Sequence, residues 1–245
     1  MKIVFERKQF RTAIALMAQT CKDAKLTVEK DVVKLTTVSE DHVAAVAVIC
    51  KKPSVKIEGV PKDMKPLYLD TKDYQTRVPN LGKNITIEWD QKKANVLTMS
   101  SGRIRVGLPL IADSEHAKIP VPNLAKENHN VITIKTKSLG EFFKIALSIT
   151  DEMILTGDRK QLILKARDKQ KKVDVRFPKK ACLTLKIPDK TVEVCVKIDR
   201  IQDFLRFSEK ATLMLKTKNP VFSSINLGPG MSAVQVLAPR IDEGE

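Results

Sequence analysis

Apolar and polar residues alternate through many short stretches of this chain and recur every three or four positions through only four longer ones. Alternation runs over residues 25–28, 32–36, 43–49, 85–89, 96–99 and 103–108, and again over 153–156, 162–165, 173–177, 192–197, 212–216, 223–226 and 233–237. A period of two over so many short runs predicts antiparallel strands with one wet face. Met1 to Phe5 leads straight into such sequence, and Gly228-Pro229-Gly230 reads as a hairpin turn between two strands.

Helical spacing is clearest over 8–21, where Phe10, Ala13, Ile14, Met17 and Cys21 form one apolar face. The opposite stripe, Lys8, Arg11, Ala15, Ala18 and Lys22, is basic at both ends and small in the middle, so a bulky polyanion could approach it closely. A second helix is predicted over 71–78, ended by Pro79, with Arg77 and then Lys83 exposed. A third opens on Ser138-Leu139-Gly140-Glu141, a capping-box pattern, and runs to about 149 with Phe142, Ile145 and Ala146 inward and Lys144 outward. Asp199 is placed to cap a fourth, which buries Ile201, Phe204 and Leu205 and shows Arg200, Arg206 and Lys210. Every predicted helix therefore carries an outward Lys or Arg. Few helices beside many antiparallel strands imply an α+β layer architecture, with helices laid on one sheet face.

The pattern also repeats. Leu26-Thr27-Val28-Glu29-Lys30 is answered by Leu155-Thr156-Gly157-Asp158-Arg159, 129 positions later (155 − 26), and Leu69-Asp70 by Ile198-Asp199 at the same offset. The stretch FRTAIAL from Phe10 resembles FFKIAL from Phe142. A repeat of this length is a duplicated domain rather than a solenoid, whose units are a few tens of residues. Residues 111–130 lack a period and hold Pro120 and Pro122, which makes them the natural connector. The expected organisation is an N-terminal domain over 1–112, a linker over 113–130 and a C-terminal domain over 131–245.

Composition then narrows the function. The 245 residues carry 44 Lys+Arg against 29 Asp+Glu, a net charge of +15. Such an excess points to a polyanionic partner, most simply nucleic acid, or else to a highly charged soluble surface. Aromatic residues make up only 4% of the chain, which argues against stacking on single-stranded bases and for a grip on phosphates. Cys21, Cys50, Cys182 and Cys195 are scattered without CxxC spacing and read as reduced, partly buried thiols. No apolar run approaches a membrane span and no signal-peptide pattern opens the chain, so an intracellular protein that binds no membrane is expected.

No catalytic signature is present: there is no phosphate-binding glycine loop, no HExxH and no GxSxG. The three histidines, His42, His116 and His129, form no cluster, and Asp113, Glu115 and His116 are better read as solvated linker than as a metal site. Neither a cofactor nor enzymatic activity is expected.

Two stretches carry a family resemblance. Residues 24–46 (AKLTVEKDVVKLTTVSEDHVAAV) resemble the part of sliding clamps where a strand pair leads into a Ser-His-Val loop, with Asp41-His42-Val43 in that place. The ending Val234-Gln235-Val236-Leu237-Ala238-Pro239-Arg240, followed by Ile241-Asp242-Glu243, resembles the closing strand and acidic tail of the same family, the DNA sliding clamps of the proliferating-cell-nuclear-antigen type. The similarity is traceable from Met1 to Glu243 and includes the duplication.

This resemblance implies two domains of one fold, each with antiparallel sheets outside and two helices inside, and three subunits closing a pseudo-sixfold ring around duplex DNA. The subunits could be identical or paralogues. Lys8, Arg11, Lys22, Arg77, Lys83, Lys144, Arg200, Arg206 and Lys210 would then face phosphates, holding DNA by diffuse charge without base readout. The family's partner pocket takes a short hydrophobic motif from DNA polymerase, clamp loader, ligase and nuclease. By position it would involve Val38, His42, Val43, Ala45, Ile119, Pro120, Pro220, Val236, Ala238 and Pro239. Ring closure would use edge strands carrying Arg103, Arg105 and Gly107 on one side and Val173, Val175 and Phe177 on the other. The function implied is a polymerase processivity factor, working in the nucleus or in nucleoid-associated cytoplasm. Three alternatives stay open: a monomeric or dimeric basic accessory subunit, a checkpoint-type clamp subunit, and a nuclease or nucleotide-processing enzyme on a similar scaffold.

Overall fold

A computed structural model describes residues 1–78, 82–90, 95–111 and 130–240. The chain divides into two compact units, Met1–Val121 with Asn226–Ala233, and Pro122–Ile225 with Val234–Glu245. The fold is α+β, and all the strand pairings described below are antiparallel.

Unit 1 runs β1 (Lys2–Glu6), α1 (Arg7–Thr20), β2 (Asp23–Val28), β3 (Val32–Val38), β4 (Ala44–Lys51), β5 (Val55–Glu58), β6 (Leu67–Asp70), α2 (Thr71–Arg77), β7 (Asn84–Trp89), β8 (Val96–Ser101) and β9 (Ile104–Pro109). One sheet has the order β5-β1-β7-β8-β9, and β6-β2-β3-β4 are neighbours in another. β2 and β3 obey the alternation that predicted them: Ala24, Leu26 and Val28 of β2 are buried, as are Val33 and Leu35 opposite them on β3. Helix α1 buries Phe10, Ala13, Ile14, Leu16 and Met17 and packs beside α2. Asp70 caps α2, its Oδ1 accepting the Lys72 and Asp73 amides at 3.0 Å each.

Unit 2 runs β10 (Asn130–Lys135), a 3₁₀ turn (Thr136–Leu139), α3 (Gly140–Ala146), β11 (Glu152–Asp158), β12 (Gln161–Arg167), β13 (Lys172–Pro178), a 3₁₀ turn (Lys179–Ala181), β14 (Thr184–Lys186), β15 (Thr191–Lys197), α4 (Ile198–Leu205), β16 (Lys210–Leu215), β17 (Val221–Gly228) and β18 (Met231–Leu237). Its strands are ordered β14-β10-β16-β17-β18 and β15-β11-β12-β13. Among the described residues, and counted from its own first strand, each unit has one strand, a helix, five strands, a helix and three strands, with the same neighbours. The duplication read from the sequence is a duplication of topology.

The Gly228–Gly230 segment is a hairpin turn whose tip groups with unit 1, where the Gly230 carbonyl accepts the Lys51 amide at 2.7 Å. Gly230 has a φ of +73°, and a Cβ there would stand 2.5 Å from the Lys51 carbonyl oxygen, so only glycine fits.

Three local expectations fail. The Ser138/Glu141 capping box is absent: residues 136–139 form a 3₁₀ turn, α3 starts at Gly140, and no side chain caps it. Ile145 is 50% exposed rather than inward, because Leu139, Phe142, Phe143 and Ala146 supply the buried i, i+3, i+4, i+7 face. Asp199 does not cap α4 but is its second residue; Lys197 holds the cap position, and Asp199 Oδ1 accepts only the neighbouring Arg200 amide, at 2.7 Å. The expected linker lies almost wholly outside the described residues, as do Pro79, His116 and His129. None of the four cysteines forms a disulfide; Cys21 and Cys50 are buried and the other two half-buried. Among the described residues no helix is long and apolar enough to cross a membrane, and no group of metal-ligating side chains converges.

Candidate nucleic-acid interface

The buried stripe of α1 fixes where its charges go. With Phe10, Ile14 and Met17 turned into the core, Lys8 and Arg11 stand exposed, with Ala15 and Ala18 half-buried further along. The Arg7 amide donates to the Lys83 carbonyl at 2.9 Å, which brings exposed Lys83 to the start of α1 rather than onto α2. Lys22, just past α1, lies 3.4 Å from Asp70 Oδ2, and Arg77 Nε donates to Asp73 Oδ1 at 2.9 Å, one turn back along α2. Exposed pairs of this kind are worth roughly 0–1 kcal/mol, so these cations can still turn to a stronger anion.

In unit 2 the expected residues divide. Lys144 is exposed on α3, beside the outward Ile145 and with Leu147 just beyond the helix. Arg206 is the C-cap of α4, exposed, with Nη1 3.3 Å from Asp203. Lys210 is exposed but opens β16 instead of riding on the helix. Arg200, expected to face outward, is half-buried, and its carbonyl accepts Gln235 Nε2 at 2.9 Å. The exposed cations that escaped the sequence reading include, in unit 2, Lys135 and Lys137 at the turn from β10 into α3. Sequence neighbours gave no sign of them, since what makes them notable is their closeness to Lys210.

The residues assigned to partner binding fall in each unit separately. In unit 1 the Asp41-His42-Val43 loop joins β3 to β4 and is held from within. Ser39 Oγ donates to Asp41 Oδ1 at 2.5 Å and accepts the Ala44 amide at 2.9 Å, while the His42 amide donates to the Ser39 carbonyl at 2.9 Å. His42 is exposed with a left-handed φ of 55°, Val43 and Ala45 are half-buried, and Val38 belongs to the core. In unit 2, Pro220 is half-buried ahead of β17, Val236 is buried in β18, and Ala238 and Pro239 follow half-buried. Ile119 and Pro120 lie outside the described residues.

The assigned subunit contacts fall on sheet edges. β9 ends its five-stranded order and β13 its four-stranded one. Arg105 and Gly107 of β9 and neighbouring Arg103 are exposed, and Arg105 Nη2 donates to Glu88 Oε2 at 2.9 Å. On β13, Val173 and Val175 are half-buried and Phe177 is buried. The edge strand β9 also exposes 46% of Ile104.

No protein family matches the sequence, and no curated protein does either. Solved structures do match. The PCNA of Thermococcus kodakaraensis aligns with a TM-score of 0.83 over 98% of this chain and 99% of its own, at 16% identity. The chain has the PCNA clamp fold. The PCNA of A. fulgidus, in a structure with the C-terminal region of FEN-1 bound to it, gives 0.82 over 99% of both chains, again at 16% identity. The PCNA of Entamoeba histolytica gives 0.82 over 98% of both chains at 14% identity. The PCNA fold therefore extends over the whole chain, although fewer than one residue in five is shared.

Proposed function

We propose that this protein is a sliding clamp, a non-enzymatic DNA polymerase processivity factor. The observation that carries the reading is the match to PCNA clamps over essentially the full length of both chains. The chain's own residues support it: each unit sets two helices against antiparallel sheets, and exposed cations lie on or beside those helices. In this reading three copies close a ring by pairing β9 of one subunit with β13 of the next. Duplex DNA passes through the ring past Lys8, Arg11, Lys83, Lys144 and Arg206. Scattered Lys and Arg give affinity without sequence preference, which is what a sliding contact requires.

Residues 1–112 and 131–245 act as the two clamp domains, with 113–130 as the linker between them. Polymerase, clamp loader, ligase and nuclease would dock through short hydrophobic motifs near Val43, Ala45, Ala238 and Pro239. The protein would work where the genome is copied, in the nucleus or the nucleoid-associated cytoplasm.

Retention on circular duplex DNA tests the reading. Protein loaded on a closed circle should survive a high-salt wash and be released when the circle is cut. Loss to salt from circle and linear DNA alike would overturn it. The net charge of +15 favours a second reading in that event, an open accessory subunit held on DNA by charge alone.

A further inference from the structure

Unit 2 contains a cavity of about 660 Å³ at the corner where β10 turns into α3 and α4 runs out into β16. Its rim is cationic. Lys135 ends β10, Lys210 opens β16, and the two are direct cross-strand partners. Residues so paired share a face of the sheet with Cβ atoms about 5 Å apart, and like charges there repel. Lys137 and Arg206 line the same cavity, and among the described residues the one carboxylate on its wall is Glu209. Arg206 is shared with Asp203, whereas Lys135, Lys137 and Lys210 have no ion-pair partner among the described residues.

Below the rim the lining is apolar. Phe143 and Leu205 are buried there, and half-buried Phe207 lies with the Arg206 guanidinium carbon 5.6 Å from its ring centroid. The corner is tied across its strands, since the Thr136 amide donates to the Glu209 carbonyl at 3.0 Å and the Thr136 hydroxyl to the Ser208 carbonyl. The repelling lysines are thus anchored on backbone that cannot easily separate them. A concave wall of one charge focuses potential on the space it encloses, and an anion bridging Lys135 and Lys210 would turn their repulsion into attraction. The apolar lining suits a ring attached to that anion.

We propose that this cavity binds a nucleotide, its phosphate between Lys135 and Lys210 and its base against Phe207. The nucleotide is either free or the terminal residue of a DNA strand. The second case rests on the sliding-clamp reading and adds a holding point to it, because converging cations around a cavity stop a phosphate that a helix face would let pass.

The test is calorimetric titration of the full chain at physiological salt with dATP and, separately, with a 5′-phosphorylated single-stranded oligonucleotide. Lys135→Gln/Lys210→Gln is compared with Lys169→Gln/Lys171→Gln, which removes the same charge from the β12–β13 hairpin. All four lysines are exposed, so both variants should fold. Saturable one-site binding is expected, weakened about tenfold or more in the first variant by the loss of two charge-assisted contacts, and unchanged in the second. Binding of dATP identifies a free nucleotide; lysine-dependent binding of the oligonucleotide alone identifies a strand end. Binding of neither, or equal weakening in both variants, overturns the proposal. Retention on circular DNA is scored in parallel: a variant that loses the nucleotide yet stays on the circle leaves the clamp reading standing.

Discussion

Asp70 stands just outside its helix and Asp199 just inside. Asp70 accepts two amides of α2, from Lys72 and Asp73, whereas Asp199, 129 positions later (199 − 70), reaches only the amide next to it. Both units bring a strand into a helix at this junction, but α4 begins with buried Ile198 and its cap position falls to Lys197, which makes no side-chain capping bond. The duplicated topology has been kept while the chemistry of the junction has diverged.

Asp70→Ala removes the acceptor for two otherwise orphaned amides and should cost about 1 kcal/mol, the usual worth of a cap. Asp199→Ala should cost much less. Urea unfolding followed by circular dichroism measures both, and equal losses would show that the cap geometry does not matter.

That divergence also marks what the sequence could convey. Strand period survives any small shift, so the expected segments of alternation correspond to strands, and the order of helices and strands was legible in both halves. What escaped was short or bordered on an aperiodic stretch: β5 and β6 alternate but have only four residues each. β14 has three residues, and β10 begins at an aperiodic stretch with a buried polar residue, Asn130, whose amide bonds Asp189 Oδ2 at 2.8 Å and the Leu215 carbonyl at 3.0 Å. The inward face of α3 was misplaced because Leu139, read as part of a cap, is the residue that anchors it. Ile145 then shares i, i+3 spacing with Phe142 and still faces out. The cationic corner at Lys135 and Lys210 was invisible for a different reason: it depends on strand register, which sequence alone does not give.

Asp158 supplies a pH-dependent term. It accepts the Lys160 amide at 2.6 Å and the Gln161 amide at 2.9 Å in the β11–β12 turn, and the first of these bonds above all holds its carboxyl below the ordinary 3.8. A depressed folded value stabilises the fold above the unfolded value, and the gain is lost as pH falls through the folded one. Asp158→Asn keeps a neutral acceptor and removes the charge. The urea midpoint of the parent should exceed that of the variant at pH 6 and converge on it as pH falls through the folded value. A gap that widens on acidification would refute the assignment.

Ile104 tests ring closure. It exposes 46% of its surface on edge strand β9, where a neighbouring subunit would cover it. Light scattering should find a species near three times 27.5 kDa for the parent. Ile104→Glu adds a charge at a position that is already wet in the single chain, so the subunit should stay folded while the mass falls to that of one chain. A large apolar side chain left at an edge costs little in the subunit but invites pairing, and a charge there is how natural edges prevent it. An unchanged mass would move the subunit contact away from β9.

The cations of α1 set the last expectation. Lys8 and Arg11 are both exposed, and no ion pair holds either among the described residues, so each is free to displace one counterion from a DNA phosphate. Counterion release makes the logarithm of affinity fall linearly with that of salt, and losing two phosphate contacts lowers the slope by about 1.8. Lys8→Gln/Arg11→Gln should therefore bind linear duplex DNA more weakly at low salt, with a shallower slope of that size and an equal effect on every sequence tried. Removing Lys22 or Arg77 should change the slope less, because each must first leave the carboxylate it already touches. A slope untouched by the α1 variant would place the DNA on another surface of this strongly basic protein.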